Sequence, residues 1–366
     1  MPNSFNKINI DSLSLRNFRN YKSIDFEFKS NFTVFTGENG IGKTNILEAI
    51  SFLSPGKGLR YLNKIDEANY QHQDSWFVSA LLTNLFGQSK IVTSCDKQKK
   101  KRHILLNDKA ITKQAELAKL VSMNWLTPQM DGLFIGSSSR RRKFLDKIVS
   151  NFYPDHDSHI YIYEDSMRQR AKLLQEYADP LWIKILEDKM AQKAIAIAAA
   201  RIETIQLITQ DIENTKSNFP KAQIKIIGFV EDLLSKHKAL EAEEIFKEKL
   251  FHNRITDKNS KRTGSGIHLS DIEVSHQANL IKAAFCSTGE QKALLINILL
   301  AEIRTKIAWQ NTVPILLLDE IIAHLDENRR KSLFSDLLEL NCQVFTTGIK
   351  PEAFDFIANY ATILRL

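Results

Sequence analysis

The chain has only three cysteines, Cys95, Cys286 and Cys342, far apart and with no C-x-x-C pair. A disulfide framework and a structural zinc site are therefore not expected. No run of about 18 apolar residues occurs, so no transmembrane helix is expected. The opening stretch "MPNSFNKINIDSLSLRNFRNYKS" lacks the apolar core of a signal peptide and already alternates like a strand. The expected setting is cytoplasmic, with no membrane partner. No internal repeat or low-complexity tract stands out, and there is no sustained heptad pattern of the kind a long coiled coil needs. No basic stretch is interleaved with aromatics, which disfavours stacking on single-stranded nucleic acid.

What is present is ordinary globular material. The 366 residues are 43% hydrophobic and 25% charged, enough for one large or two ordinary domains. The net charge of +7 and pI near 9.1 permit a polyanionic partner without requiring one. Residues 7 to 36 alternate with period two and read as strands. "WFVSALLTN", "SKIVTSCD" and "HILLND" read as hairpin strands, with "DKQKKKRH" between two of them. That basic run is either a solvated hairpin tip or a phosphate-backbone contact. From about 140 to 250, apolar residues recur at helical spacing, with Ser139 as a candidate cap and Pro180 at the start of a long helix. "VPILLLDE", "DENRRKSLFSDLLEL" and "CQVFTTG" then read as a β–α–β unit.

Three motifs carry chemistry. Gly37-Glu38-Asn39-Gly40-Ile41-Gly42-Lys43-Thr44 fits G-x-x-x-x-G-K-[ST] and stands between a strand and a helix. Its glycines let backbone N–H groups form an anion nest at the helix N-terminus. Lys43 would reach the β- and γ-phosphates, and the Thr44 hydroxyl would coordinate Mg²⁺. "ILLLDE" supplies Asp319 for Mg²⁺ and Glu320 as general base toward the attacking water. Some 275 residues separate Thr44 from Asp319, which points to a head folded from both ends of the chain around a helical insertion. "CSTGEQK" places a small-residue turn before a helix. Ser287 or Thr288 caps that helix, or the turn, with Gly289 and Glu290, closes over nucleotide held by another subunit.

Together these motifs resemble the ATP-binding-cassette heads of SMC-type proteins, and within that group the RecF family, over nearly the whole chain. "LSLRNFRNYKSIDFEF" is similar to the family's opening strand and "GENGIGKTNILEAISFLSPGKGLR" to its P-loop. "WLTPQMDGLFIGSSSRRRKFLDKIV" resembles the segment ending in Arg-Arg-Arg-Phe-Leu-Asp. "STGEQKALLINILLAEI" resembles the signature motif, and "LLLDEIIAHLDENRR" the Walker B motif and D-loop, with Asp326 in the latter. The resemblance implies an α/β head of the ABC/SMC P-loop ATPase type, built from both chain ends with an inserted helical lobe. The expected domains are 1–145, 146–264 and 265–366. It implies ATP and Mg²⁺ as cofactors and an ATP-dependent homodimer in which Ser287, Thr288, Gly289 and Glu290 act in trans. It also implies weak ATP hydrolysis as a switch. Further implications are binding to double-stranded DNA or single-strand/double-strand junctions, and cooperation with RecO and RecR in loading RecA during gap repair. Candidate DNA contacts are Lys97, Lys99, Lys100, Lys101 and Arg102, and the cluster Arg140, Arg141, Arg142 and Lys143.

The chain departs from the family pattern in several places. Ile267 and Leu269 in "GIHLSD" replace a common proline and arginine. Gln129 falls at the Q-loop position, near Mg²⁺, where many members have glutamate. Gly348 stands where transporter-type cassettes place a switch histidine, which implies slow hydrolysis. The competing assignments are a transporter ATPase subunit, an SMC-like structural ATPase and a non-catalytic DNA-binding scaffold. The helical insertion and Gly348 disfavour the first, the missing heptads the second, and intact Lys43, Thr44, Asp319 and Glu320 the third.

Overall fold

The computed structural model describes residues 6–366 except 57, 61–67, 69–74, 86, 96–101, 112–113, 177–178 and 322–324. The chain divides into two compact units, one of residues 1–131 with 302–366 and one of residues 132–301.

The first unit contains two main sheets. In the first sheet, six strands run antiparallel in the order Tyr21–Glu27, Asn9–Phe18, Trp76–Asn84, Gly87–Cys95, Arg102–Leu106 and Lys109–Ala110. Alternation along Asn9–Phe18 buries Ile10, Leu13, Leu15 and Phe18, as expected of a strand with one covered face. In the second sheet, five strands run parallel in the order Ala361–Arg365, Phe32–Thr36, Val344–Gly348, Ile315–Leu318 and Met123–Leu126. Phe32–Thr36, Ile315–Leu318 and Met123–Leu126 are buried at every position, which explains why their sequences are short apolar runs without alternation. Side chains of both sheets and of the helix Lys43–Ser51 share one core. Phe28 stands edge-on to Phe345 at 4.8 Å, and Phe18 to Trp76 at 5.4 Å, the geometry aromatic rings favour.

The second unit is mostly helical. Its helices include Ser138–Phe152, His156–Gln175, the long helix Pro180–Asn214, Phe229–Lys236, Ala239–His252 and Arg254–Ser260, and the second, third, fourth and fifth of these share a core that includes Met190, Ala194, Ala198, Phe246 and Ile267. Pro180 opens the long helix, and Asp179 caps it by accepting from the Leu181 N–H. The first helix is capped by Ser137 and not by the expected Ser139, which lies within the first turn. The expected purely helical insertion also contains a strand, Ala222–Ile227, paired antiparallel with Asp271–His276. The expected limits at 145/146 and 264/265 fall inside this unit, because Arg141 on the first helix binds Asp271 on that strand with bonds of 2.7 and 2.6 Å.

Two buried guanidinium groups organise the unit. Arg170 donates to Glu187 (2.9 Å), Asp257 (2.7 Å) and the Leu250 carbonyl (2.7 Å). Arg201 donates to both oxygens of Asp146 (2.8 and 3.0 Å), to Glu231 (3.0 Å) and to the Ile267 carbonyl. Burial raises the Asp146 pKa, but Arg201 and His156 outweigh this and hold it below the ordinary carboxylate value. The resulting stability is present above the unfolded-state pKa and is lost as pH falls through the folded one. Asp146→Asn is therefore expected to lower stability by about 3 kcal/mol at neutral pH. The gap to the parent should narrow below pH about 4. Urea unfolding at the two pH values checks both statements.

Candidate nucleotide-binding site

The strand Phe32–Thr36 delivers the glycine loop to the N-terminus of the helix Lys43–Ser51. Gly40 and Gly42 have φ of 85° and 115°, a left-handed backbone that residues with a Cβ rarely adopt. At Gly42 a Cβ would also lie 2.6 Å from the Tyr21 hydroxyl. No side chain caps this helix, so no side chain occupies its N-terminal N–H groups, as an anion nest requires. The buried Lys43 ammonium spans the loop, donating to the carbonyls of Gly37 and Glu38 at 2.8 Å each. Its third donor remains for a phosphate oxygen. Glu38, Asn39, Gly40 and Ile41 form the exposed rim.

Two strands away in the same parallel sheet, Ile315–Leu318 ends at Asp319. The Thr44 hydroxyl lies 2.9 and 3.1 Å from the two Asp319 oxygens. A hydroxyl and a carboxylate at this spacing form the hard, all-oxygen donor set that suits Mg²⁺. Thr347, on the intervening strand Val344–Gly348, donates to Asp319 Oδ1 at 2.8 Å, and its Oγ1 accepts from the Glu320 N–H at 2.8 Å. One side chain thus orients the candidate metal ligand and fixes the backbone of the candidate base. Glu320 itself adopts φ 50°, a left-handed conformation uncommon for a residue with a side chain.

The remaining expected residues are distributed unequally. Gln129 is exposed in the turn Pro128–Met130, just beyond Leu126, which pairs with Leu318. Asp326 caps the helix Glu327–Glu339 by accepting from the Arg329 N–H at 2.9 Å. In the second unit, Ser287 and Glu290 form a reciprocal capping box. The Ser287 N–H and hydroxyl both donate to the Glu290 carboxylate at 3.0 Å, and Ser287 Oγ accepts from the Glu290 N–H at 3.3 Å. Thr288 is exposed, and a Cβ at Gly289 would meet nothing within 4 Å. In "GIHLSD", Ile267 is buried and Leu269 is exposed.

Two expectations about basic residues need correction. Arg102 is turned inward. It donates to the carbonyls of Phe52, Ser54 and Gly56 and to Thr93, and lies over the Phe52 ring. Burial lowers its pKa to about 10, and Nε, Nη1 and Nη2 all donate within the protein, so the guanidinium is not presented to DNA. Arg141 is held by Asp271, and Arg142 donates to the Ser270 carbonyl at 2.9 Å, leaving Arg140 and Lys143 as the exposed members of that cluster. Lys97, Lys99, Lys100 and Lys101 lie outside the described residues.

Several site-supporting residues escape sequence reasoning. In "RNFRNY", Asn17 and Arg19 adopt φ of 52° and 53° and turn Asn20 over the glycine loop. Asn20 donates to the Ile41 carbonyl at 2.8 Å and accepts from Asn45 at 2.7 Å. Arg19 and Arg60 pair with Glu48, which is fully buried on the P-loop helix. Burial raises the Tyr21 pKa to about 12, with the neighbouring Asn20 amide opposing the shift. At the end of the central strand, a Cβ on Gly348 would overlap the ring of buried Phe354. Packing, independently of catalysis, demands a small residue there.

A family model described as RecF/RecN/SMC N terminal domain matches residues 9–365. The DNA replication and repair protein RecF of Rickettsia akari (strain Hartford) is 42% identical over 362 residues, covering 98% of this chain and 99% of that protein. RecF of Rickettsia prowazekii (strain Madrid E) is 42% identical over 358 residues, again covering 98% and 99%. Among solved structures, the recombination mediator protein RecF-ATPrS in the RecFOR pathway superposes with a TM-score of 0.86 at 21% identity, over 100% of this chain and 97% of that one. An SMC head bound to the C-terminal winged-helix domain of ScpA shares the fold, with a TM-score of 0.55 at 17% identity, over 97% and 93%. Fold and site together define an ATPase head of the ABC/SMC class. Within that class, the chain belongs to the RecF family of DNA replication and repair proteins.

Asn20→Ala removes the brace on the Ile41 carbonyl without touching the phosphate-facing atoms. It is expected to weaken ATP binding about tenfold, the equivalent of one hydrogen bond to the loop, with the thermal midpoint nearly unchanged. Equilibrium titration with a fluorescent ATP analogue checks this.

Proposed function

We propose that the protein is an ATP-driven DNA clamp of gap repair and replication restart, acting in the cytoplasm. The observation that carries this is the closure of Thr44 onto Asp319 beneath a glycine loop spanned by Lys43. It is the arrangement required to hold a nucleoside triphosphate with its metal.

Lys43 and the loop N–H groups hold the β- and γ-phosphates. Thr44 and Asp319 would hold Mg²⁺, which supplies charge neutralisation at the phosphates when bound. Glu320, fixed through its backbone by Thr347, takes the proton from the attacking water. A second copy provides the exposed turn of Ser287, Thr288 and Gly289 with Glu290. Because the Ser287 hydroxyl already serves the capping box, the contribution of this turn is chiefly its helix N-terminus and the open face at Gly289. The nucleotide then binds two copies at once and stabilises only the closed dimer. Phe354 excludes a switch histidine at Gly348, which favours slow hydrolysis and a long-lived clamp.

DNA is taken as duplex near single-strand/double-strand junctions, through phosphate contacts. Arg140 and Lys143 and the run 97–101 are the candidate contacts. RecO and RecR are the proposed partners in loading RecA.

Two variants test the proposal. In Lys43→Ala, ATP-dependent dimerisation and tight duplex binding are both expected to disappear. Sedimentation and fluorescence anisotropy with and without ATP measure them, and DNA affinity indifferent to both ATP and this substitution would sink the clamp. Glu320→Gln should slow ATP turnover by about 100-fold or more and accumulate the ATP-bound dimer. Unchanged steady-state hydrolysis removes Glu320 as the base.

A further inference from the structure

Just upstream of the Ser287 capping box the chain makes a tight turn. The Leu280 N–H donates to the His276 carbonyl at 2.8 Å, and the His276 N–H to the Ile281 carbonyl at 2.9 Å. Asn279 Oδ1 accepts from the Ile281 N–H at 3.1 Å, and a bridge between Ser275 and Lys282 closes the turn. Leu280 is held at φ 58°, a backbone that glycine and asparagine accept far more readily than leucine. Its side chain is nonetheless 69% exposed, beside Ile281 at 45% and Phe285 at 80%. Three large apolar side chains within six residues therefore face water, one of them on an unfavourable backbone. Neither the conformational preference of leucine nor its hydrophobicity accounts for this in an isolated chain.

The chemistry of the turn selects its partner. Lys282 is paired with Glu273, so the turn presents little free positive charge to a phosphate backbone. Phe285 precedes Ser287 by two residues, which makes the apolar patch continuous with the exposed turn before the helix Thr288–Gln310. In the dimer proposed above, that turn meets the glycine loop of a second copy. The face around that loop also carries exposed apolar side chains. Ile41, at 41% exposure, lies in the loop itself, and Ile349, at 51%, directly follows the strand Val344–Gly348, which pairs with the P-loop strand.

We infer that the turn bearing Leu280, Ile281 and Phe285 is an apolar contact surface for a second copy of this chain, engaged in the nucleotide-bound dimer. The inference rests on the proposed trans arrangement and adds the side chains that hold it. Every copy carries both the turn and the face it meets, so a two-fold contact forms twice in one dimer. Three side chains are far below the ~1,000 Å² that a stable interface buries. The patch alone does not hold two copies together, and the nucleotide keeps control of assembly.

The test is sedimentation equilibrium of the full chain with Mg²⁺ and a slowly hydrolysed ATP analogue, comparing the parent with Phe285→Ser and Leu280→Asn. Both variants are expected to dimerise about tenfold or more weakly, as expected of central apolar anchors. Both should bind a fluorescent ATP analogue as monomers with the parent's affinity. Leu280→Asn should melt no lower than the parent, because asparagine accepts the left-handed backbone, which separates a lost contact from a damaged fold. A parent that stays monomeric with the analogue overturns the trans arrangement and this inference with it. A parent that dimerises alongside two variants that dimerise equally well overturns the inference alone, as does a loss confined to duplex DNA binding.

Discussion

The hydrogen bond between the Thr44 hydroxyl and the Asp319 carboxylate joins residues 275 positions apart, and the first unit depends on bringing those two atoms together. Neither residue is positioned by its neighbours in sequence. Thr44 follows the strand Phe32–Thr36, Asp319 ends the strand Ile315–Leu318, and Val344–Gly348 lies between those strands in register with both. A one-residue slip of either pairing would displace the carboxylate by about 3.3 Å. It would also turn buried side chains to the opposite face. The aromatic packing of Phe28, Phe35 and Phe345 is thus a condition of the site as much as of the core.

What was legible in the sequence is what depends on local chemistry. Gly42 before Lys43 announces a left-handed cap, and "ILLL" announces a strand buried on both faces. Both signals are complete within a few residues. Partners from distant parts of the chain were not legible. Thr347 looks like any strand threonine until the parallel register sets it beside Asp319. Asn20 looks like a hairpin residue until two left-handed residues fold it onto Ile41. Arg102 and its lysine neighbours read alike, because a basic run does not reveal which member finds buried carbonyls. Ser137 and Ser139 are chemically equivalent caps, and only the position at which the helix begins separates them. The strand Ala222–Ile227 alternates clearly, yet its partner lies almost fifty residues on, beyond three helices.

The second unit places its charges inside. Arg170 and Arg201 each hold two carboxylates and a backbone carbonyl. Buried ion networks seldom exceed apolar packing in stability, but they are strict about geometry. "GIHLSD" contributes to this order at several points. The Ile267 carbonyl accepts from Arg201, Ser270 donates to Glu231 and Asp271 receives Arg141. The two departures from the family pattern therefore differ in kind. Ile267 is absorbed by the core, whereas Leu269 lies outside it and leaves an apolar side chain where the family commonly carries a cation.

The ring of Phe354 sits where a side chain at position 348 would have to begin. Restoring a transporter-like switch histidine thus requires at least two coordinated replacements, because the histidine cannot enter while the phenyl ring remains and the ring cannot leave without opening a cavity in the core. A single substitution at position 348 therefore has no route to a histidine that leaves the core intact. A core aromatic thus decides which side chains the end of the central strand can carry.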